Sequence, residues 1–548
     1  MIKNFFKKQI NSITVAAALV ALSSLASRFL GIIRDRILAS QFGADTTLDI
    51  YYAAFRIPDL IYNLIILGAL SAGFIPIFTK LIKNYKGGHE VSILPASNNK
   101  PAWDLVNNVL NILSLALLFL SVIGIIFAPF FVKLITPGFG AAEQMTTVSL
   151  TRIMFLSPLF LGISGILGGI LQSFKRFLVY SLAPIFYNVG IIIGALYFIK
   201  MDGLNGLAWG VVLGAFLHML IQVPIVYSLG FRYNLKIDWK DKATRAIAKM
   251  MVPRTLSLAI SQINLIIITI IASNMTSGSL TVFNFANNLQ SFPIGIFGIS
   301  FAIAAFPSLA EHAFNYNKLA STFSNAMRQI LFFIIPATVI IITLRAQIIR
   351  VVLGSGNFDW QDTILTMNTL GFFAFSLFAQ ATIPLLTRVF YARHNSATPF
   401  YLGLFTIALN IVLSFWFGKI MGVAGLALAY SVANILNLML LWGWLYFKVG
   451  SLDLINILIS SSKFIIAALA AGMAAQITKV LVWPYIDMTR LSGVFIQLFV
   501  ATISALIVYI LFCYLFKSEE LFGLLSSLWK RWPFKKVKVE DQGEARGV

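Results

Sequence analysis

Cysteine is almost missing from this chain: one residue, Cys513, in 548. No internal disulfide framework and no Cys-x-x-Cys metal site can therefore be built. Histidine is also sparse, with four residues at positions 89, 218, 312 and 394 and no His-Glu-x-x-His pair among them. A GxxxxGK[ST] phosphate loop and a GxSxG nucleophile elbow are both absent. Together these gaps argue against the common hydrolases and an ATP-driven pump, so neither an enzyme nor a bound cofactor or metal is expected. Charge is scarce as well, at 11% of residues, and acidic charge scarcer still, with 20 Asp and Glu against 41 Lys and Arg.

What remains is apolar. Hydrophobic residues make up 59% of the chain and the mean hydropathy is +0.87, the composition of a protein whose usual solvent is lipid. A helix needs about 20 apolar residues to cross the hydrocarbon core, and fourteen such stretches can be counted. They lie near 13–38, 50–80, 105–135, 146–174, 180–199, 205–229, 246–274, 281–311, 322–347, 363–391, 399–417, 423–447, 455–482 and 492–516. The first resembles a signal peptide, but its apolar helix runs on through FLGII, so it is expected to stay uncleaved.

Lysine and arginine alternate across these stretches. With the N-terminus in the cytoplasm, the same side collects Lys80, Lys83 and Lys86, then Arg232, Lys236, Lys240, Lys242 and Arg245, and finally the tail from Lys517 to Lys538. The opposite side holds few cations, so both termini are expected in the cytoplasm. The net charge of +21 is then a topological and lipid-surface signal and not a nucleic-acid footprint.

The chain also repeats itself. GLNGLAWGVVLGA at 203–215 and GVAGLALAYSVAN at 422–434 share GxxGLA at an offset of 219 residues, the length of six stretches. The expected fold is an all-α polytopic membrane protein of about 14 helices. It divides into a six-helix lobe at 1–230, a second at 231–450, two further helices at 451–516 and a basic cytoplasmic tail at 517–548. Repeated halves commonly place a transport site at their interface near the midplane.

Ionised residues inside apolar helices are expensive and usually face a cavity or a partner. Arg28, Arg34 and Asp35 in the first stretch, Asp49 and Arg56 in the second, and Arg254 in the seventh are the candidates. On an ideal helix Arg28 and Asp35 share a face, about 10 Å apart along the axis, while Arg34 projects about 120° away. A guanidinium fork suits a dense anion, which it can hold through paired charge-assisted hydrogen bonds.

SRFLGIIRD, LDIYYAAFRIPD, GALSAGFIPIF, LAPIFYNVGIIIGAL, GLAWGVVLGAFLHMLIQVP, MVPRTLSLAISQIN and FPIGIFG together resemble the MurJ (MviN) family of lipid II flippases, within the multidrug/oligosaccharidyl-lipid/polysaccharide exporter superfamily. The resemblance implies a flippase that moves the undecaprenyl-pyrophosphate-linked peptidoglycan precursor from the inner to the outer leaflet of the bacterial cytoplasmic membrane. It further implies two lobes in a V, with helices 13 and 14 lining a groove for the lipid tail, and lipid II and membrane lipids as partners of a monomer. Arg28, Arg34 and Asp35 match the family's first-helix motif, and Asp49 matches its acidic residue at the start of helix 2. Asn287 and Asn288 stand where the family carries an Asp-Arg pair, and Tyr62-Asn63 where helix 2 usually carries arginine. Arg56 and Arg254 are the cations available to compensate. Ile268 and Ser414 replace the acidic ligands of a sodium site found in some members, with Asn410 retained, so a hard cation has lost its best ligands. The alternatives are an exporter of another polyprenyl-linked glycan and a multidrug-type exporter of small molecules, for which cavity carboxylates would suit cationic drugs better than arginines. Reporters fused after residues 90 and 240 should be cytoplasmic and those after 139 and 276 external; a reporter at 90 found outside would invert the whole topology.

Overall fold

The computed structural model describes residues 13–67, 73–86, 89–93 and 100–530. Fifteen helices, numbered here in chain order, organise it. They are α1 (Ile13–Phe42), α2 (Thr46–Tyr62), α3 (Lys100–Ile126), α4 (Ala141–Ser173), α5 (Phe177–Asp202), α6 (Asn205–Ser228) and α7 (Lys242–Ser273). After these come α8 (Ser279–Glu311), α9 (Tyr316–Val352), α10 (Trp360–Ala374 with Leu377–Ala392), α11 (Ala397–Met421), α12 (Val423–Val449), α13 (Leu454–Tyr485), α14 (Leu491–Leu515) and α15 (Glu519–Lys530). Ten helices among the described residues are long and apolar enough to cross a membrane, and the two parts of α10, bent by 44°, make an eleventh if counted as one span. The all-α expectation meets one exception, an antiparallel hairpin of Lys83–Lys86 against His89–Ile93. It follows the short helix Ile75–Ile82, in a connector whose backbone must find partners of its own.

The sequence repeat has a geometric counterpart. Gly203 and Gly422, 219 residues apart, turn the chain with nearly the same angles, φ 55° and ψ −140° against φ 60° and ψ −142°, in a left-handed region that glycine enters without a Cβ clash. A Cβ on Gly206 would meet the backbone carbon of Phe198 at 2.3 Å, and one on Gly425 would meet the carbonyl oxygen of Phe417 at 2.2 Å. The GxxGLA motif thus has one task in both halves: a tight turn, then a close approach between the ends of consecutive helices.

Apolar packing divides the molecule unevenly. One cluster is centred in the N-terminal half on Phe74, Phe78, Trp103 and Phe174, and takes in Phe231 and Ile247 from the start of the second. A second lies in the C-terminal half, where α13 and α14 join α9 through Phe332, Phe464 and Tyr509; the Tyr509 hydroxyl donates to the carbonyl of Phe332 at 2.6 Å. A third is shared. It combines Leu38, Leu48 and Tyr51 with Leu280, Phe283, Phe358 and Phe373, and so closes the two halves over each other at one end. Away from that end α7 still packs on the N-terminal half, giving Ile247 to the first cluster and Ile266 and Ile270 to a small one around Ile57 and Phe155, while the second cluster stays within the C-terminal half.

Candidate functional site

The middle of α1 lies where α5 of its own half meets α8 of the other. A polar cavity of about 240 Å³ opens there, lined by Arg28, Arg34 and Asp35 from α1, Asn188 from α5, and Asn288 and Ser291 from α8. Arg28 Nη1 donates to the carbonyl of Ser291 at 3.2 Å, across the interface between the halves. Its guanidinium fits because position 295 is glycine: a Cβ there would stand 2.3 Å from Arg28 Nη2.

Arg34 does not point away as the ideal helix predicts. Its long side chain folds back, with Nε and Nη2 donating to Asp35 Oδ1 at 3.0 and 2.8 Å and Nη1 donating to Asn188 Oδ1 at 3.1 Å. Asn288 Nδ2 then donates to Asp35 Oδ2 at 2.9 Å. Adjacent helical residues do not normally face each other, so this pair depends on arginine's length and on the two asparagines that fix its ends. The cavity therefore holds one partnered and one carbonyl-tethered cation, the donors an anionic head group requires.

The other charged candidates lie elsewhere. Arg56 donates from Nε to Thr269 Oγ1 at 2.8 Å and from Nη2 to Asn284 Oδ1 at 3.0 Å, tying α2 to α7 and α8 through neutral partners. Asp49 is buried and does not line the cavity. Its Oδ2 accepts from the Gly278 amide at 2.8 Å, and its Oδ1 accepts from the amide and hydroxyl of Thr281 at 2.7 and 2.6 Å. It thereby caps α8 from the opposite half, satisfying amides the helix cannot satisfy itself. Arg254 lies on α7, but its side chain falls outside the described residues. Asn264 and Asn410 meet at 2.8 Å, a buried neutral pair, while Ile268 is packed into the shared core.

Around Asp49 the closed end is laced together. Asp45 Oδ1 accepts from Ser277 Oγ at 2.8 Å, Asp362 Oδ2 accepts from the Ala44 amide at 2.9 Å, and the Asn357 amide donates to the carbonyl of Ser40 at 2.9 Å. Arg36 donates to the carbonyl of Val351. Gly278 has φ +83°, and a Cβ on it would lie 1.8 Å from the carbonyl oxygen of Ala44, so the chains approach more closely than any other residue permits. Asn188, Asn284, Asn288 and Thr269 were not among the sequence candidates. The available signal was an amide in an otherwise apolar helix, as in YNVG and FANNLQ.

Two helical halves sealed at one end, with a cationic polar cavity between them, are the architecture of a polytopic membrane transporter. The family described as "Lipid II flippase MurJ" matches residues 38–514, and the chain belongs to that family. A probable lipid II flippase MurJ of Buchnera aphidicola subsp. Acyrthosiphon pisum is 30% identical over 440 residues, 78% of this chain and 82% of that one. A Vibrio cholerae counterpart is 28% identical over 444 residues, with 78% and 82% covered. Among solved structures, a lipid II flippase MurJ in an inward closed conformation superposes with a TM-score of 0.73 at 24% identity, covering 91% of this chain and 98% of that chain. An inward-facing multidrug resistance MATE transporter follows at 0.63 and 16%, covering 80% and 99%. These likenesses are of fold.

Removing the Asp49 carboxylate orphans three donors, at about 1–3 kcal/mol for each group left buried. Asp49→Ala should therefore loosen the closed end. Because Cys513 is the one native cysteine and is buried, Ser279→Cys, at a buried position, provides a clean reporter, and its reaction with a membrane-impermeant maleimide should accelerate in the Asp49→Ala background. Equal labelling with and without Asp49 would show that the apolar seal suffices alone.

Proposed function

We propose that this protein translocates lipid II from the inner to the outer leaflet of the bacterial cytoplasmic membrane by alternating access, both termini being cytoplasmic. The observation that carries the reading is the cavity where Arg28 and Arg34 of one half meet Asn288 and Ser291 of the other. Any rocking of the halves must remake these bonds. The eleven apolar spans become fourteen crossings when α1, α2 and α7, the helices bearing the charged candidates, are included. The two lobes meet at the α6–α7 connection, and α13 and α14 are added to the second.

Arg28 and Arg34 would bind the pyrophosphate, with Asn188 and Asn288 setting the direction of Arg34 and Asp35. Asp35 would give up Arg34 to the substrate, since a carboxylate oxygen and a phosphate oxygen compete for the same donors. Asp49 would serve the outer gate, Arg56 the registry of α2 on α7 and α8, and Arg254 a second approach for the anion. The MATE-like fold leaves a drug exporter as the second reading, which a cavity built on two arginines disfavours for cationic cargo.

Arg28→Ala should abolish complementation of a strain depleted of its lipid II flippase while leaving folded protein near wild-type amounts, because it removes a cavity charge and not a packed core group. Normal growth at ordinary expression would make Arg28 structural only. Flipping should also persist when choline replaces sodium at constant membrane potential, since Ile268, Asn264, Asn410 and Ser414 bring no carboxylate to that position; loss of activity on sodium removal would place a coupling site elsewhere.

A further inference from the structure

The chain between α6 and α7 is extended, and three asparagines of α3 hold it in place. Asn107 donates to the carbonyl of Arg232 at 3.1 Å and accepts from the amide of Asn234 at 2.9 Å. Asn111 donates to the carbonyls of Asn234 and Lys236, both at 3.0 Å. Asn108 donates to the carbonyl of Asp238 at 2.9 Å and accepts from its amide at 2.6 Å. Every one of these bonds uses an even-numbered residue. α3 thus acts as the neighbouring edge of a strand, and the pairing fixes which side chains fall on which face.

The odd-numbered residues are Tyr233, Leu235, Ile237 and Trp239, and they are 62%, 73%, 45% and 60% exposed. Four large apolar side chains held in the open by a hydrogen-bonded backbone call for a partner. Tyr233, Leu235 and Ile237 overhang a groove of about 550 Å³ whose floor includes Leu118 of α3 and Leu167 of α4. Leu115 and Leu118 on that floor are themselves 48% and 49% exposed, on a helix that crosses the membrane. Around the strip stand Arg232, Lys236, Lys240, Lys242 and Arg245. The acids beside them are engaged: Asp104 pairs with Lys236 at 3.2 Å, Asp238 accepts from the Lys240 amide and Asp241 caps α7 through Thr244. Lys240 and Lys242 are exposed and make no ion pair among the described residues.

We infer that this connection is a membrane-interface anchor whose groove takes an acyl chain of an anionic phospholipid, with the phosphate at the basic rim. Aromatic and apolar side chains alternating with polar ones, and flanked by lysine and arginine, suit the boundary between head groups and acyl chains, and the charge complements an anionic leaflet. Only the choice of leaflet, the cytoplasmic one, rests on the topology of the proposed flippase. The consequence is mechanical, because the connection between the halves is then fixed both to α3 and to the bilayer surface.

The test uses the full chain in lipid nanodiscs, with a nitroxide on Leu235→Cys, Cys513 being buried. In discs containing phosphatidylglycerol the label should be accessible to oxygen and shielded from a water-soluble nickel complex. Native mass spectrometry should find phosphatidylglycerol retained over phosphatidylcholine. Neutralising Lys236, Lys240 and Lys242 to Gln should cut that preference by up to about fivefold per charge. A label equally open to the nickel complex in discs with and without phosphatidylglycerol overturns the inference, as does equal retention of the two lipids by the wild-type chain. Lipid II retention read in the same spectra separates the two claims: its loss alone would count against the flippase and leave the anchor standing.

Discussion

The Arg34–Asp35 ion pair sets the conditions for everything around it. Two charges in a membrane protein's interior cost several kcal/mol each to desolvate, and removing one partner costs about 3–5 kcal/mol because the other is then stranded. The pair is stable only because Asn188 occupies the free end of the guanidinium and Asn288 the free carboxylate oxygen. Since Asn288 belongs to the other half, the electrostatic satisfaction of α1 depends on where α8 stands. An ion pair within one helix is thereby tied to the position of the other half.

The closed end works on a different principle. There the binding is apolar area plus backbone bonds, with Asp49 supplying the acceptor that a helix N-terminus needs. Opening that end exposes shared core and orphans buried amides, whereas the bonds that cross the halves at the cavity are Arg28–Ser291 and Asn288–Asp35, with Arg56 and Thr255 bridging α2 and its continuation to α7 and α8 beside it. Helix α8 also contains a π-helical turn at Ile294–Ile299, and α2 continues into another at Asn63–Leu67. Such turns mark places where a helix yields. The one in α8 lies directly beneath Arg28, so a change of helical register there would move Gly295 and the guanidinium that packs on it.

Much of this was legible in the sequence because the bilayer reads sequence crudely. Long apolar stretches, alternating basic turns and the GxxGLA repeat each report on a local constraint. Arg28 and Arg34 stood out for the same reason: a charge in an apolar helix is anomalous by itself. Asp49 was equally visible as a charge, but its task was hidden, since its partners Gly278 and Thr281 are more than two hundred residues away. Asn188 and Asn288 were harder still, because an asparagine in an apolar helix signals a hydrogen bond without saying to whom. The direction of Arg34 does not follow from the sequence, because helical geometry fixes Cβ and not the end of a long side chain. The asparagine ladder of α3 was invisible, for its partners are backbone atoms.

Charge bookkeeping in the cavity bears on how the proposed cycle would be driven. Empty, Arg28, Arg34 and Asp35 sum to one positive charge; with a pyrophosphate of about two negative charges bound, the same cavity carries about one negative. An inside-negative membrane pulls the first toward the cytoplasm and pushes the second outward, each by up to about 2.3 kcal/mol per 100 mV for a full crossing. Both strokes are then assisted by a single potential, with no ion bound. Asp35 is the residue responsible for that symmetry. Without it the empty cavity would carry two positive charges and the loaded one about none, and the field would act on the return stroke alone.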